Sequence, residues 1–288
     1  MSSAIKILSW NYHKLTNTFK TNALREMVNE NDIDVVILQE ASGYGIASTL
    51  SSTHKEIDYF DGKKSNGVRV FLKIGVFTYN PAPLGWFNKY ALVSLKKIKD
   101  NEWINIVAVY LYSKVGRTER KQMWENLDFI KKIEVWENTT GNKKSILIGD
   151  FNHNPFEANM LDPNVLNAKD ARSLINAHRQ FKTANEKDDF WYNPMWNLLG
   201  DFDYNTNKER VTGTYYRNNF DETPIWNMLD GFMLRPDLMN RVNYKDSKII
   251  TSTSSYNFIK PTIIGEAESL IHDDFSDHLP VMLSINVN

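Results

Sequence analysis

The chain has 288 residues, a formal net charge of −1 and no cysteine. Near-neutrality excludes a global basic field of the kind many nucleic-acid binders carry, although a local basic face or a bound cation can substitute for it. The absence of cysteine excludes a disulfide framework, and no stretch approaches the ~20 apolar residues of a membrane span.

The start, Met1-Ser2-Ser3-Ala4-Ile5-Lys6, lacks a basic region followed by a long apolar stretch, so the expectation is a cytoplasmic protein with no membrane association. Residues 5–10 read as a strand ending at Trp10-Asn11. Residues 17–31 place Phe19, Leu24, Met27 and Val28 at helical spacing. Residues 34–39 are a short apolar run closed by Glu40, the pattern of a buried strand. Residues 68–78 and 91–97 alternate as strands, with Asn80-Pro81-Ala82-Pro83 as the turn between them. Residues 104–112 form another strand. An amphipathic helix follows over 118–137, with Trp124, Leu127, Ile130 and Val135 facing inward. Residues 145–148 are a strand ending in Gly149-Asp150, and 229–234 and 281–287 are the last strands.

The stretch 153–226 is less regular and rich in aromatics: Phe190, Trp191, Tyr192, Trp196, Phe202, Tyr204, Tyr215, Tyr216, Phe220 and Trp226. It reads as an elaboration, partly helical over 168–184, of the kind in which specificity tends to sit. Such aromatics either stack bases or form a second small core. The alternation of strands and helices points to an α/β organisation with sheets covered by helices. The polar strings spread from residue 11 to residue 278 and have to converge on one site, so the chain reads as one domain, 1–288.

Those strings carry the chemistry. Glu40 closes an apolar strand, a poor place for a charge without a partner; a hard divalent cation is one such partner, and a surface position is the alternative. Asn11 reads as a turn residue or a polar group at a strand end. Asp150 and Asn152 are two apart, so in an extended segment they share one face, where a carboxylate can activate water and an amide can bind a phosphate oxygen. An Asx turn there is compatible with both roles. His278 follows Asp277 and can donate to a phosphate oxygen when charged or act as a base when neutral, provided a partner fixes its tautomer.

The ordered strings Trp10-Asn11, Leu38-Gln39-Glu40, Gly149-Asp150-Phe151-Asn152, Leu229-Asp230 and Ser276-Asp277-His278 resemble the endonuclease/exonuclease/phosphatase superfamily, which includes AP endonucleases, DNase-I-like nucleases, sphingomyelinases and inositol-polyphosphate 5-phosphatases. The resemblance spans residues 5–285. It implies a four-layer α/β/β/α sandwich and a Mg²⁺ or Mn²⁺ cofactor held by Glu40, Asp277 and Asn11. It pairs Asp230 with His278, and gives Asp150 and Asn152 to water and phosphate, with Asn11 also near phosphate. Asp150 and His278 both remain candidates for the base. Tyr110, at the end of the strand 104–112, is similar to the AP endonuclease and exonuclease III branch and reads either as a phosphate ligand or as a core aromatic. The match to that branch stops there, because its following Pro and Asn are absent.

The expected function is a metal-dependent phosphodiesterase acting on nucleic acid, DNA before RNA, with Arg117, Arg120 and Lys121 offered to phosphates and Trp191, Trp196 and Trp226 to bases. A phosphatase on a small phosphorylated molecule or phosphoinositide, an RNase, and a degenerate binding module are the alternatives. Gly-Asp-Phe-Asn in place of Gly-Asp-Leu-Asn-Tyr-Arg disfavours the inositol-phosphatase branch.

Overall fold

Alternating aliphatic residues drive two sheets onto one shared core. The computed structural model describes residues 3–13, 17–41, 45–58, 67–82, 89–181, 190–203, 208–217, 226–260, 271–272 and 274–287. The elements in the first half are β1 (Ser3–Asn11), α1 (Thr18–Glu30), β2 (Val35–Gln39), α2 (Gly45–Leu50), β3 (His54–Glu56), β4 (Val68–Lys73), β5 (Phe77–Pro81), β6 (Tyr90–Lys97), β7 (Ile104–Tyr110), α3 (Glu119–Thr140) and β8 (Ser145–Asp150). There follow α4 (Ala158–Leu161), β9 (Ala168–Lys169), α5 (Arg172–Phe181), β10 (Trp191–Tyr192), β11 (Phe202–Asp203), β12 (Lys208–Glu209), β13 (Tyr215–Tyr216), β14 (Trp226–Asn227), β15 (Asp230–Leu234), β16 (Lys248–Ile249) and β17 (Val281–Val287). None of the helices among these residues is long and apolar enough to cross a membrane.

One sheet runs β16-β17-β1-β2-β4-β3 and the other β5-β6-β7-β8-β15-β10-β9. Both are mixed: β1 and β2 are parallel, as are β7 and β8, while β17 and β15 run antiparallel beside them. Strand side chains alternate between faces. Ile5, Ile7, Val35, Ile37, Ile104, Ile106, Ala108, Ile146, Ile148, Phe232 and Leu234 therefore fill the space between the sheets. The opposite parity, Leu8, Trp10, Val36 and Leu38, packs on Ala23, Leu24, Met27 and Val28 of α1. Val107, Val109, Leu147 and Met233 pack on Phe129, Ile130, Ile133 and Trp136 of α3. The result is helix, sheet, sheet, helix. Each fully buried aliphatic side chain contributes about 1.5–3 kcal/mol against exposure.

The inter-sheet face changes character at one edge. Along the same parity β1 continues to Ser9 and Asn11, β2 to Gln39, β7 to Tyr110 and β8 to Asp150, and β15 begins with Asp230. Registers align these ends: Asn11 lies opposite Gln39, and Asp150 opposite both Tyr110 and Asp230. Gly149 makes the last step possible. Its φ is +146°, and a Cβ there would sit 2.0 Å from the Val109 carbonyl oxygen.

Three expectations change. The predicted strand 68–78 divides into β4 and β5, which lie in different sheets, because Gly75 turns the chain at φ +74°. Asn80 and Pro81 then extend β5 instead of forming a turn, and Pro83 lies outside the described residues. The helix faces also rotate: Phe19 is 62% exposed, Trp124 63% and Val135 60%, and Leu127 is half-buried. In α3 the buried stripe includes Gln122, Asn126 and Glu137, so an apolar count misreads it. Glu137 is tolerated because Arg235 forks onto it at 3.0 and 2.8 Å. The span 168–184 is partly helical, as expected: it holds β9 and then α5, with residues 182–184 outside the described residues.

Candidate active site

The polar edge brings Asn11, Glu40, Tyr110, Asp150, Asn152, Asp230, Asp277 and His278 into one neighbourhood. At its centre His278 Nδ1 lies 2.7 Å from Asp230 Oδ2, with both residues buried. Asp150 is also buried, and its carboxylate accepts three hydrogen bonds. Oδ1 accepts the Asn152 backbone N–H at 2.8 Å, which is an Asx turn; Oδ2 accepts Asn11 Nδ2 at 2.9 Å and Asn152 Nδ2 at 3.2 Å. Phe151 meanwhile packs into the outer core. The second N–H of Asn152 goes to the Leu111 carbonyl at 2.9 Å, so one amide hydrogen holds Asp150 and the other anchors the side chain to the chain just after β7. Asn11 Oδ1 accepts the His13 N–H at 3.1 Å.

Glu40 receives the Tyr110 hydroxyl on Oε1 at 2.6 Å. His13, Glu40 and Asn152 all adopt left-handed backbone, with φ of +41°, +49° and +54°. Such conformations cost about 1–3 kcal/mol each and persist where surrounding structure over-determines them.

Electrostatics follow from burial. Desolvation raises the Asp150 carboxyl above its usual range, and the neighbouring Asp230 raises it further. Burial alone would lower the His278 imidazolium, but Asp230, Asp150 and Asp277 together outweigh it and hold the ring protonated well above its ordinary range. Burial and the Glu40 carboxylate push the Tyr110 phenol up, with Asp150 and Asp277 adding to the effect, so it enters as a neutral donor.

Comparison with known proteins gives this arrangement a lineage. The sequence pattern of the Endonuclease/Exonuclease/phosphatase family matches residues 8–224. The chain belongs to that family. Its members are metal-dependent hydrolases of phosphate esters. No curated protein matches the chain in sequence. Among solved structures, the endonuclease domain of TRAS1, a telomere-specific non-LTR retrotransposon, superposes with a TM-score of 0.56 at 11% identity, covering 99% of each chain. The human Nocturnin catalytic domain does so at 0.57 and 15%, covering 99% of this chain and 95% of that one. An endonuclease/exonuclease/phosphatase family protein from Bacteroides thetaiotaomicron does so at 0.58 and 13%, covering 100% and 99%. These similarities concern the fold.

The donor set suits the divalent cation on which Endonuclease/Exonuclease/phosphatase members depend. Hard cations take oxygen ligands. Glu40 and Asp277 supply carboxylates at this edge, and Asp277 Oδ1 and Asp230 Oδ1 are buried without hydrogen-bond partners. His13 Nδ1 lies 3.2 Å from Asp277 Oδ1, an ion-pair distance without hydrogen-bond alignment. Oxygens of Asp150 and Asp230 and a ring nitrogen of His278 also come within 4.8 Å of one another. In that trio the His278 Nδ1 is already engaged by Asp230 Oδ2 at 2.7 Å.

Other residues sort differently. Arg117 precedes α3, lies 3.2 Å from Glu125 and stacks 4.2 Å from the Tyr112 ring centroid. Arg120 and Lys121 are exposed on the first turn of α3. Trp191 is 0% exposed in the outer core beneath Arg235, so it is not a base platform; burial among Val107, Leu147 and Met233 overrides the expectation. Trp196 is half-buried. Trp226 packs edge-on against Tyr216, centroids 5.2 Å apart, at the rim of the α1-side core. Tyr204 and Phe220 lie outside the described residues.

The structure also adds participants. Thr214 Oγ1 accepts the backbone N–H of Asp230 at 2.9 Å, and the Tyr215 ring packs 4.8 Å from the His278 ring. Ser276 donates to the Asn11 carbonyl at 2.7 Å and accepts the His278 N–H at 3.2 Å. Lys89 Nζ sits 3.6 Å over the Tyr110 ring. The Ser-Asp-His string hinted at Ser276 and the aromatic stretch at Tyr215; an isolated Thr or Lys leaves no periodic signal.

Proposed function

We propose that the chain is a divalent-cation-dependent phosphodiesterase acting on nucleic acid, DNA before RNA, by in-line attack of water on phosphorus. The observation that carries this reading is Asp150, fixed by two amides and placed in register with Asp230, which holds His278. Asp150 takes the proton of the attacking water, a role favoured by a carboxyl whose affinity for protons is raised. Asn11 and Asn152 orient it. His278 arrives already protonated, so it serves as the charged donor from Nε2 to a non-bridging oxygen as charge builds there, while Asp230 fixes the ring through Nδ1. Tyr110 orients Glu40. A cation held by Glu40 and Asp277, with Asn11 beside them, would neutralise charge on the phosphoryl and leaving oxygens.

The similarity to an endonuclease domain supports a nucleic-acid substrate. So does Lys89, whose ammonium lies over the Tyr110 ring at this edge, on a chain that is near-neutral overall. The test is a panel of DNA, RNA and phosphomonoester substrates with Mg²⁺, Mn²⁺ or EDTA. Cation-dependent cleavage of DNA is expected. Hydrolysis confined to phosphomonoesters would replace this reading with a phosphatase.

A further inference from the structure

The three segments that leave the catalytic strand ends also build a pocket. The chain after Tyr110 contributes Lys114 and Arg117, the chain after Asp150 contributes Phe156, and β14, just before Asp230, contributes Asn227. Glu119, Gln122, Asn154, Glu157 and Asn159 complete its wall, and the volume is about 400 Å³. That is the size of an ordinary small-ligand site.

The wall chemistry is specific. Phe156 is 45% exposed, an aromatic face open to the pocket. Gln122 and Asn159 are almost wholly buried, yet each is only half used inside the protein. Gln122 donates Nε2 to the Tyr112 carbonyl at 2.8 Å, which leaves its own carbonyl for the pocket. Asn159 accepts from Asn126 at 3.3 Å on Oδ1, which leaves its N–H groups. The cations are largely compensated: Lys114 lies 2.7 Å from Glu157 and Arg117 3.2 Å from Glu125. A buried acceptor, a buried donor, a planar apolar face and little net charge suit a heterocycle with mixed edges better than a phosphate.

We infer that this pocket receives the nucleoside on one side of the scissile phosphate, its base stacked on Phe156 and its edge read by Gln122 and Asn159. The inference rests on the phosphodiesterase reading and adds where the substrate is gripped.

The test compares kcat/KM, with Mn²⁺ present, for the dinucleotide d(TpT) and for the methyl esters of thymidine 5′-phosphate and thymidine 3′-phosphate. Each ester lacks one of the two nucleosides. One ester should fall about tenfold below d(TpT), the scale of a single base–aromatic stack, and the other should not. Phe156→Ala should lower kcat/KM for d(TpT) about tenfold more than for the impaired ester, and Phe156→Trp should retain the preference. Equal rates for all three substrates, or an equal effect of Phe156→Ala on all three, would overturn the pocket while leaving the phosphodiesterase intact. Loss on Lys114→Ala that salt mimics, with none on Phe156→Ala, would make the pocket a phosphate site instead. Failure to cleave any diester while a phosphomonoester is cleaved would remove the parent reading and the pocket with it.

Discussion

His278 and Asp230 are 48 residues apart in sequence, yet Nδ1 and Oδ2 meet at 2.7 Å with both side chains buried. The pair forms because β15 begins where β8 ends, and because the segment after Ser276 crosses the end of β1 before β17 starts. Its consequence is a positive ring fixed beside a carboxylate that is reluctant to lose its proton.

Removing the partner should therefore change the ring first. In Asp230→Asn the largest attraction on the imidazolium is lost while the burial that disfavours its charge remains. NMR titration of His278 should show deprotonation at lower pH than in the wild type, with kcat down roughly 10² or more. An unshifted titration would dissolve the pair.

Asp150→Asn should separate catalysis from folding. A carboxyl whose folded pKa is raised opposes folding as pH climbs from its unfolded value through its folded one, because the unfolded chain gives up the proton more readily. Toward the upper end of that window, near pH 7, the variant escapes the penalty. Thermal unfolding at neutral pH in EDTA should show it as stable as the wild type or more so, with turnover lower by roughly 10² or more. A less stable variant would mean that Asp150 is structural.

Tyr110→Phe removes the hydroxyl that fixes Glu40. Loss of such an orienting partner costs about 10- to 100-fold in metal affinity. Cation titrations of activity should shift to higher Mg²⁺ by that factor, with activity recovered at saturation. A lower rate that no cation concentration restores would place Tyr110 on the substrate instead.

Acid sensitivity should arise partly at Glu157. Burial alone would raise its carboxyl, but His153, Lys114 and the Asn154 N–H overcome this and bring it down to about 2. A depressed carboxyl stabilises the fold above its unfolded pKa of about 4.3, and that contribution fades as pH falls toward 2. Glu157→Gln should lower the urea midpoint at pH 7 and have progressively less effect between pH 4 and pH 2. An effect independent of pH would show that packing, not charge, is what the residue supplies.

Much of the site was legible because strand periodicity carries it. Ile5, Ile7, Ser9 and Asn11 share one face, as do Ile146, Ile148 and Asp150, so an apolar face that ends in a polar group marks a sheet edge at which chemistry can sit. Helix faces were harder: Gln122, Asn126 and Glu137 are buried polar residues of α3, and their partners come from Tyr112, His153 and Arg235, distant in sequence. The aromatics Phe190, Trp191 and Tyr192 look like a binding surface by composition, yet residues 191–192 extend a sheet and all three are buried. Thr214, which holds Asp230, is an isolated hydroxyl with no spacing to reveal it.

The central claim is that this edge hydrolyses phosphodiesters through the charged His278. The most direct measurement is the rate of cleavage of a short deoxyoligonucleotide by wild type and His278→Ala at saturating Mn²⁺, with circular dichroism confirming that both are folded. The account predicts a fall of roughly 10² or more in kcat for the variant and no cleavage by either protein in EDTA. Equal rates for the two folded proteins would contradict it.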